Sequence, residues 1–378
     1  MRSTHTRLLL PAVLVVLALP AGAGALPPTA AATLAGNPYP YAPHEPRAKA
    51  ASLAAAAEYL DGVARYWMRP NSCGTCHANF AYLMARPRAG GDPPAVLAET
   101  RQFLEARKPP RDFSFDAHAV GIAFALAWDD ARTGDVLRPT TRDALRRMWA
   151  TQRANGTWPR LGCGELLPSE NDTPYTAVLA ALAAGLAPEG YAHSREAQDG
   201  LTRLRRYFAL NPPKTLHDTA LRLWASLHLD GLMTTPEREA AVRRLLAARG
   251  RDGGWSLAAM SGPPATPASL LDERGDGYST ALAVYVLRQA GVSAAHAGVA
   301  RGAAWLRASQ RVSGRWFTPA PVSPTEGGVG SRDLYAQNLG TAFAVLALDA
   351  CDTADTRPGA PRPYRRPGLS LRDGATPD

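Results

Sequence analysis

Apolar positions along the chain recur with a helical period, and two kinds of helix alternate. In 139–153 Leu145, Met148 and Trp149 stand three and four residues apart among charged neighbours, the mark of a helix with one buried stripe. The segments 48–68, 92–107, 195–210, 235–249 and 294–309 read the same way. Between them lie segments apolar on nearly every side, at 76–86, 114–131, 173–186, 217–230, 277–290 and 338–350. A helix that is apolar all round has to be buried. The alternation therefore predicts an all-α chain of twelve helices in six hairpins.

Two short repeats fix the register of these hairpins. The first is a helix end followed by Gly and Trp: Gln152 to Gly156 and Trp158, Arg249 to Gly253 and Trp255, Gln310 to Gly314 and Trp316. The Gly predicts a left-handed helix cap, and the Trp packs back under the turn. Met148, Leu245 and Leu306 precede the three motifs by four residues. The second repeat is a polar turn, then Thr-Ala, then an apolar helix, at Thr176, Thr219, Thr280 and Thr341. His77-Ala78 and His118-Ala119 hold the same register, so the six starts are 41, 58, 43, 61 and 61 residues apart.

Alternating amphipathic and fully apolar helices are satisfied by a closed ring, an α/α toroid with six helices inside and six outside. An open solenoid would need polar end caps, and the chain has none. One domain then spans 48–352. Residues 26–47 read as a Pro- and Ala-rich linker and 353–378 as a disordered tail.

These Gln-x3-Gly-x-Trp repeats and their hairpins resemble the terpene cyclase and protein prenyltransferase superfamily, particularly squalene–hopene cyclase-like repeats. The resemblance covers about residues 48–350 and implies a central apolar cavity for an isoprenoid-like molecule. Two departures separate the chain from the family's activities. It lacks the D-x-D-D acid of the class II cyclases. Asp276-Gly277-Tyr278 carries Tyr where the prenyltransferase zinc Cys would fall, and Asp349-Ala350-Cys351 sits at the wrong end of its helix.

Charge and targeting narrow the setting. The net charge is +9, and only Lys49, Lys108 and Lys214 are lysines among 42 basic residues. The arginines are scattered over helix faces, with no aromatic-interleaved basic run, so a nucleic-acid partner is not expected. Residues 1–25 read as a signal peptide: Arg2 and Arg7, an apolar core from Leu8 to Leu19, then small residues to Ala25. The alternative is an uncleaved N-terminal anchor. Both place the body of the protein in the periplasm or outside the cell.

In a toroid of this topology all inner helices start on one face, which also receives the loops 159–171, 256–275 and 317–334. Asp116, His118, Asp172, His217, Asp218, Asp276, Gln337 and Asn338 stand at those starts. Asp116, His118, Asp172, His217 and Asp276 are the candidates for proton transfer, and helix capping is the competing role for each Asp. Cys73-Gly74-Thr75-Cys76-His77 has the C-x-x-C-H form of a c-type haem attachment. It points to haem c on Cys73 and Cys76, His77 on the iron, and His118 as a neighbouring metal ligand. A disulfide, or zinc held by Cys73, Cys76, Cys163 and a His, remains open. Two function classes follow. One is an exported enzyme acting on an apolar, isoprenoid-like or lipid substrate, with haem or metal at the mouth. The other is a non-catalytic carrier or electron-transfer protein with a redox partner. The oligomeric state is not fixed by the sequence.

Overall fold

A computed structural model describes residues 45–68, 76–92, 94–107, 116–159, 173–261, 274–319 and 331–353. Twelve helices carry the hairpins. The outer ones are α1 (Leu53–Met68), α3 (Ala95–Ala106), α5 (Pro139–Ala150), α7 (Arg195–Leu210), α9 (Thr235–Ala247) and α11 (Ala297–Ser309). The inner ones are α2 (Ala81–Ala85, entered through a π-helical turn Cys76–Phe80), α4 (Asp116–Thr133), α6 (Thr173–Leu186), α8 (Leu216–Ser226), α10 (Gly277–Gln289) and α12 (Ser331–Asp352). Among the described residues there is no strand, only isolated bridges between Arg47 and Arg311 and between Gln310 and Trp316. No described helix is long and apolar enough to cross a membrane.

The ring closes. Each inner helix packs on the next in chain order, and α12 packs back on α2. Burial explains the apolar pattern: every residue of α8 is buried, as is Gly277 to Leu287 of α10. At the seam Gln310 Nε2 donates to Ser52 O at 2.9 Å, and Arg315 Nε donates to Glu45 Oε2 at 2.8 Å. Residues 45–47, which the sequence assigns to a linker, thus belong to the closure.

The three Trp motifs are staples. The indole N–H of Trp158 donates to Met148 O at 2.8 Å, that of Trp255 to Leu245 O at 2.7 Å, and that of Trp316 to Leu306 O at 2.8 Å. The backbone N–H of Trp255 donates to Thr280 Oγ1, and that of Trp316 to Thr341 Oγ1, so the two sequence repeats hold each other. The staple glycines have φ of +88°, +96° and +89°. A Cβ on Gly156 would lie 2.3 Å from Arg203 O on α7, and one on Gly314 2.2 Å from Ala55 O on α1. Each turn therefore sets the approach of the following outer helix.

Aromatic rings fill the axis between α4, α8, α10 and α12. Trp224 packs edge-to-face on Phe124, Trp128, Tyr285 and Phe343 with centroids 5.6–6.0 Å apart. Tyr278 joins the cluster through Phe343 at 5.6 Å. Such T-shaped pairs are favoured by the ring quadrupoles.

Candidate functional site

The inner-helix starts gather polar groups at one mouth of the ring. Thr215 caps α8 in a capping box: its Oγ1 accepts the Asp218 N–H at 2.9 Å, and Asp218 Oδ2 accepts the Thr215 N–H at 3.2 Å. Asp218 is thereby a helix cap. Asp276 caps α10, its Oδ1 accepting the Ser279 N–H at 2.9 Å. The entry to α10 is held further by Gly277 N–H on Phe317 O and Tyr278 N–H on Thr318 Oγ1.

These caps fix two side chains against each other. His217 Nε2 and Tyr278 Oη are 2.8 Å apart in a hydrogen bond, with the rings inclined at 48°. Both are buried, at 0% and 1% exposure. His217 lies two helical turns above Trp224, and Tyr278 two turns above Tyr285, so the pair sits over the aromatic filling of the axis. Burial pushes the imidazole down to about 4, against the opposing pull of the Asp218 carboxylate. The ring is neutral at pH 7 and can accept or donate at Nε2. Burial lifts the Asp276 carboxyl to about 7, only partly countered by the hydrogen bonds from Ser279. Close by on the same face, Tyr59 Oη donates to Asn338 Oδ1 at 2.5 Å.

The structure brings together two of the inner-helix starts, those of α8 and α10. His217 and Asp276 stand at them, and His118 is half-buried on α4. Asp116 opens α4, and its side chain lies outside the described residues, as does the whole of Asp172. Cys76 and His77 open the π-helical turn, but their side chains, and all of Cys73 and Cys163, lie outside the described residues. Haem c, its zinc alternative and the disulfide on these residues are therefore not assigned. Among the described residues no three His, Cys, Asp or Glu side chains form a metal-binding group. Cys351 is a free, half-buried thiol whose pKa burial raises to about 11, which keeps it unreactive.

Sequence reasoning passed over Tyr278. Its signal was the register itself: Tyr278 stands two residues before Thr280, as His217 stands two before Thr219. Equal register on adjacent inner helices places the two side chains at one height on the axis.

No family model and no curated protein sequence matches the chain. Solved structures do. A polysaccharide lyase is matched with a TM-score of 0.50 at 12% identity, over 79% of this chain and 96% of the other. A possible member of the GH105 family from Klebsiella pneumoniae subsp. pneumoniae is matched at 0.47 and 14% identity, over 82% and 96%. A glycosyl hydrolase of family 88 from Bacteroides vulgatus is matched at 0.33 and 11% identity, over 81% and 93%. At these identities the lyase match establishes the α/α toroid. The lyase is neither a terpene cyclase nor a prenyltransferase. The expected membership of the terpene cyclase superfamily, with its terpenoid associations, does not stand. The expected isoprenoid-like ligand falls with it. The physical reason is that the Gly-Trp staple is a device for closing helical hairpins into a ring, and the ring axis where an isoprenoid was expected is packed with aromatic side chains.

Proposed function

We propose that this toroid is an exported carbohydrate-active enzyme that cleaves a uronate-containing polysaccharide by proton transfer at Tyr278 and His217. The observation that carries the reading is the buried 2.8 Å hydrogen bond between a neutral imidazole and a phenol at the mouth of the ring. The lyase that shares the fold supports a polysaccharide substrate. Residues 1–25, outside the described residues, support export.

Elimination uses this pair as follows. The Tyr278 oxygen takes the proton from C5 of the uronate as its own proton passes to His217 Nε2. The C5 electron pair forms the C4=C5 bond, the C4–O4 bond breaks, and the departing O4 receives the proton from Tyr278. His217 then returns its proton to the phenolate. One proton leaves carbon and one reaches oxygen, so the pair ends as it began. Burial keeps water from competing. The haem c or zinc considered on Cys73, Cys76, Cys163 and His77 has no part in this step.

The test is incubation of the purified chain with polygalacturonate, alginate and glucuronate-containing polymers. Product is followed by the ultraviolet absorbance of the conjugated alkene and by new reducing ends. Alkene that disappears in His217→Asn is the expected result. Absence of alkene from every polymer would overturn the reading.

A further inference from the structure

A second feature of the same face has no part in the proton transfer. A cavity of about 310 Å³ lies beside the start of α8, between α6, α7 and the segment 211–214. This volume is at the small end of the range for small-molecule sites, about 300–1,000 Å³, and holds a single ring unit. Its floor is aromatic: Tyr175 and Phe208 are buried and Tyr207 is half-buried. The rim is polar and exposed, with Asn155, Asn211 and Lys214.

Three observations limit what fits there. Flat aromatic faces beside amide groups suit a pyranose, which presents an apolar C–H face and a rim of hydroxyls. Arg222, below Phe208, is committed: its guanidinium donates to Leu232 O and Asn211 O and lies 5.1 Å over the Phe208 ring. Asp218 is committed as well, accepting the Lys214 and Thr215 N–H groups. Lys214 is different. Its ammonium makes no hydrogen bond or ion pair among the described residues, and it is one of three lysines in the chain. An exposed ammonium on the rim of an aromatic-floored cavity is placed to receive an anionic ligand group.

We infer that this cavity is a saccharide subsite that takes one uronic acid unit, with its ring against Tyr207 and its carboxylate on Lys214. The inference rests on the proposed function and extends it to substrate selection. Asp218 lines the cavity and is adjacent in sequence to His217, so the subsite flanks the reacting pair along the α8 start.

Calorimetric titration with trigalacturonate, and with the neutral maltotriose as control, tests this on the full chain. Lys214→Ala, an exposed loop change that leaves the core intact, is expected to weaken trigalacturonate about tenfold, the loss typical of one charge-assisted hydrogen bond, and to leave maltotriose unchanged. Tyr207→Ala is expected to weaken both. Equal affinity of wild type and Lys214→Ala for trigalacturonate, or no binding to wild type, overturns the subsite. Turnover is measured in parallel to keep the two readings apart. Alkene formation with an unchanged KM in Lys214→Ala refutes the subsite and leaves the His217–Tyr278 chemistry standing. Lys214-dependent binding with no alkene from any polymer does the reverse.

Discussion

Replacing Tyr278 by Phe removes one oxygen and leaves the ring that packs on Phe343 at 5.6 Å. Two losses follow, and they differ in kind. The first is structural. His217 Nε2 loses its phenol partner in a site with 0% exposure. Leaving a buried polar atom short of a partner costs about 1–3 kcal/mol. The second is chemical. Without the phenol there is no group to carry the C5 proton, and removal of a positioned acid–base group lowers kcat by about 10²–10⁴-fold. KM should move little, because the hydroxyl acts in the transition state and not in holding the sugar. Urea unfolding followed by far-ultraviolet circular dichroism reads the first loss, and initial rates of alkene formation on folded protein read the second. His217→Gln separates the two further. An amide can still hydrogen-bond to Tyr278, but it cannot take a proton, so this variant should keep most of its stability and lose its turnover. Wild-type kcat in Tyr278→Phe, with only the stability lowered, would make the pair a core hydrogen bond and refute its catalytic assignment.

Other substitutions test the frame. Trp255→Ala should lower unfolding free energy by about 3–5 kcal/mol, and Trp255→Phe by about 1–3 kcal/mol, because Leu245 O loses its indole donor; urea midpoints measure both. Gly156→Ala should destabilise the α5–α7 junction, since φ is +88° and Arg203 O lies 2.3 Å from the added carbon; a thermal melt shows it. Burial lowers both His217 and His228 from 6.5 to about 4. The unfolded chain therefore binds more protons in that window, and stability should fall as pH drops from about 6.5 to about 4. His228→Leu should remove part of that slope in pH-dependent urea titrations. Asp276 acts oppositely, because its folded pKa is raised from 3.8 to about 7. Its contribution is lost as pH rises through that window, and Asp276→Asn should flatten it.

The fold was legible because each of its constraints is local. A staple Gly must adopt positive φ and a staple Trp must reach a carbonyl ten residues back, so both leave the same letters at the same spacing three times. The boundaries of α6, α7 and α10 follow the apolar runs to within a residue. Departures occur where closure is non-local. Glu45 reads as linker because its partners, Arg311 and Arg315, stand more than 260 residues away.

The site was less legible for a related reason. His217 was visible as a titratable residue at a helix start, but its neutral state depends on burial that only the closed ring provides. Tyr278 looked like one more apolar position of α10, because a tyrosine in a buried helix has the same periodicity as a phenylalanine. Only the shared register of α8 and α10 distinguishes it. The repeats themselves misled about chemistry. They specify how hairpins close, whereas the side chains two residues before the Thr of each inner helix differ from one hairpin to the next. In this chain those positions include His217 and Tyr278 on adjacent helices. The same staple can therefore enclose unrelated chemistries.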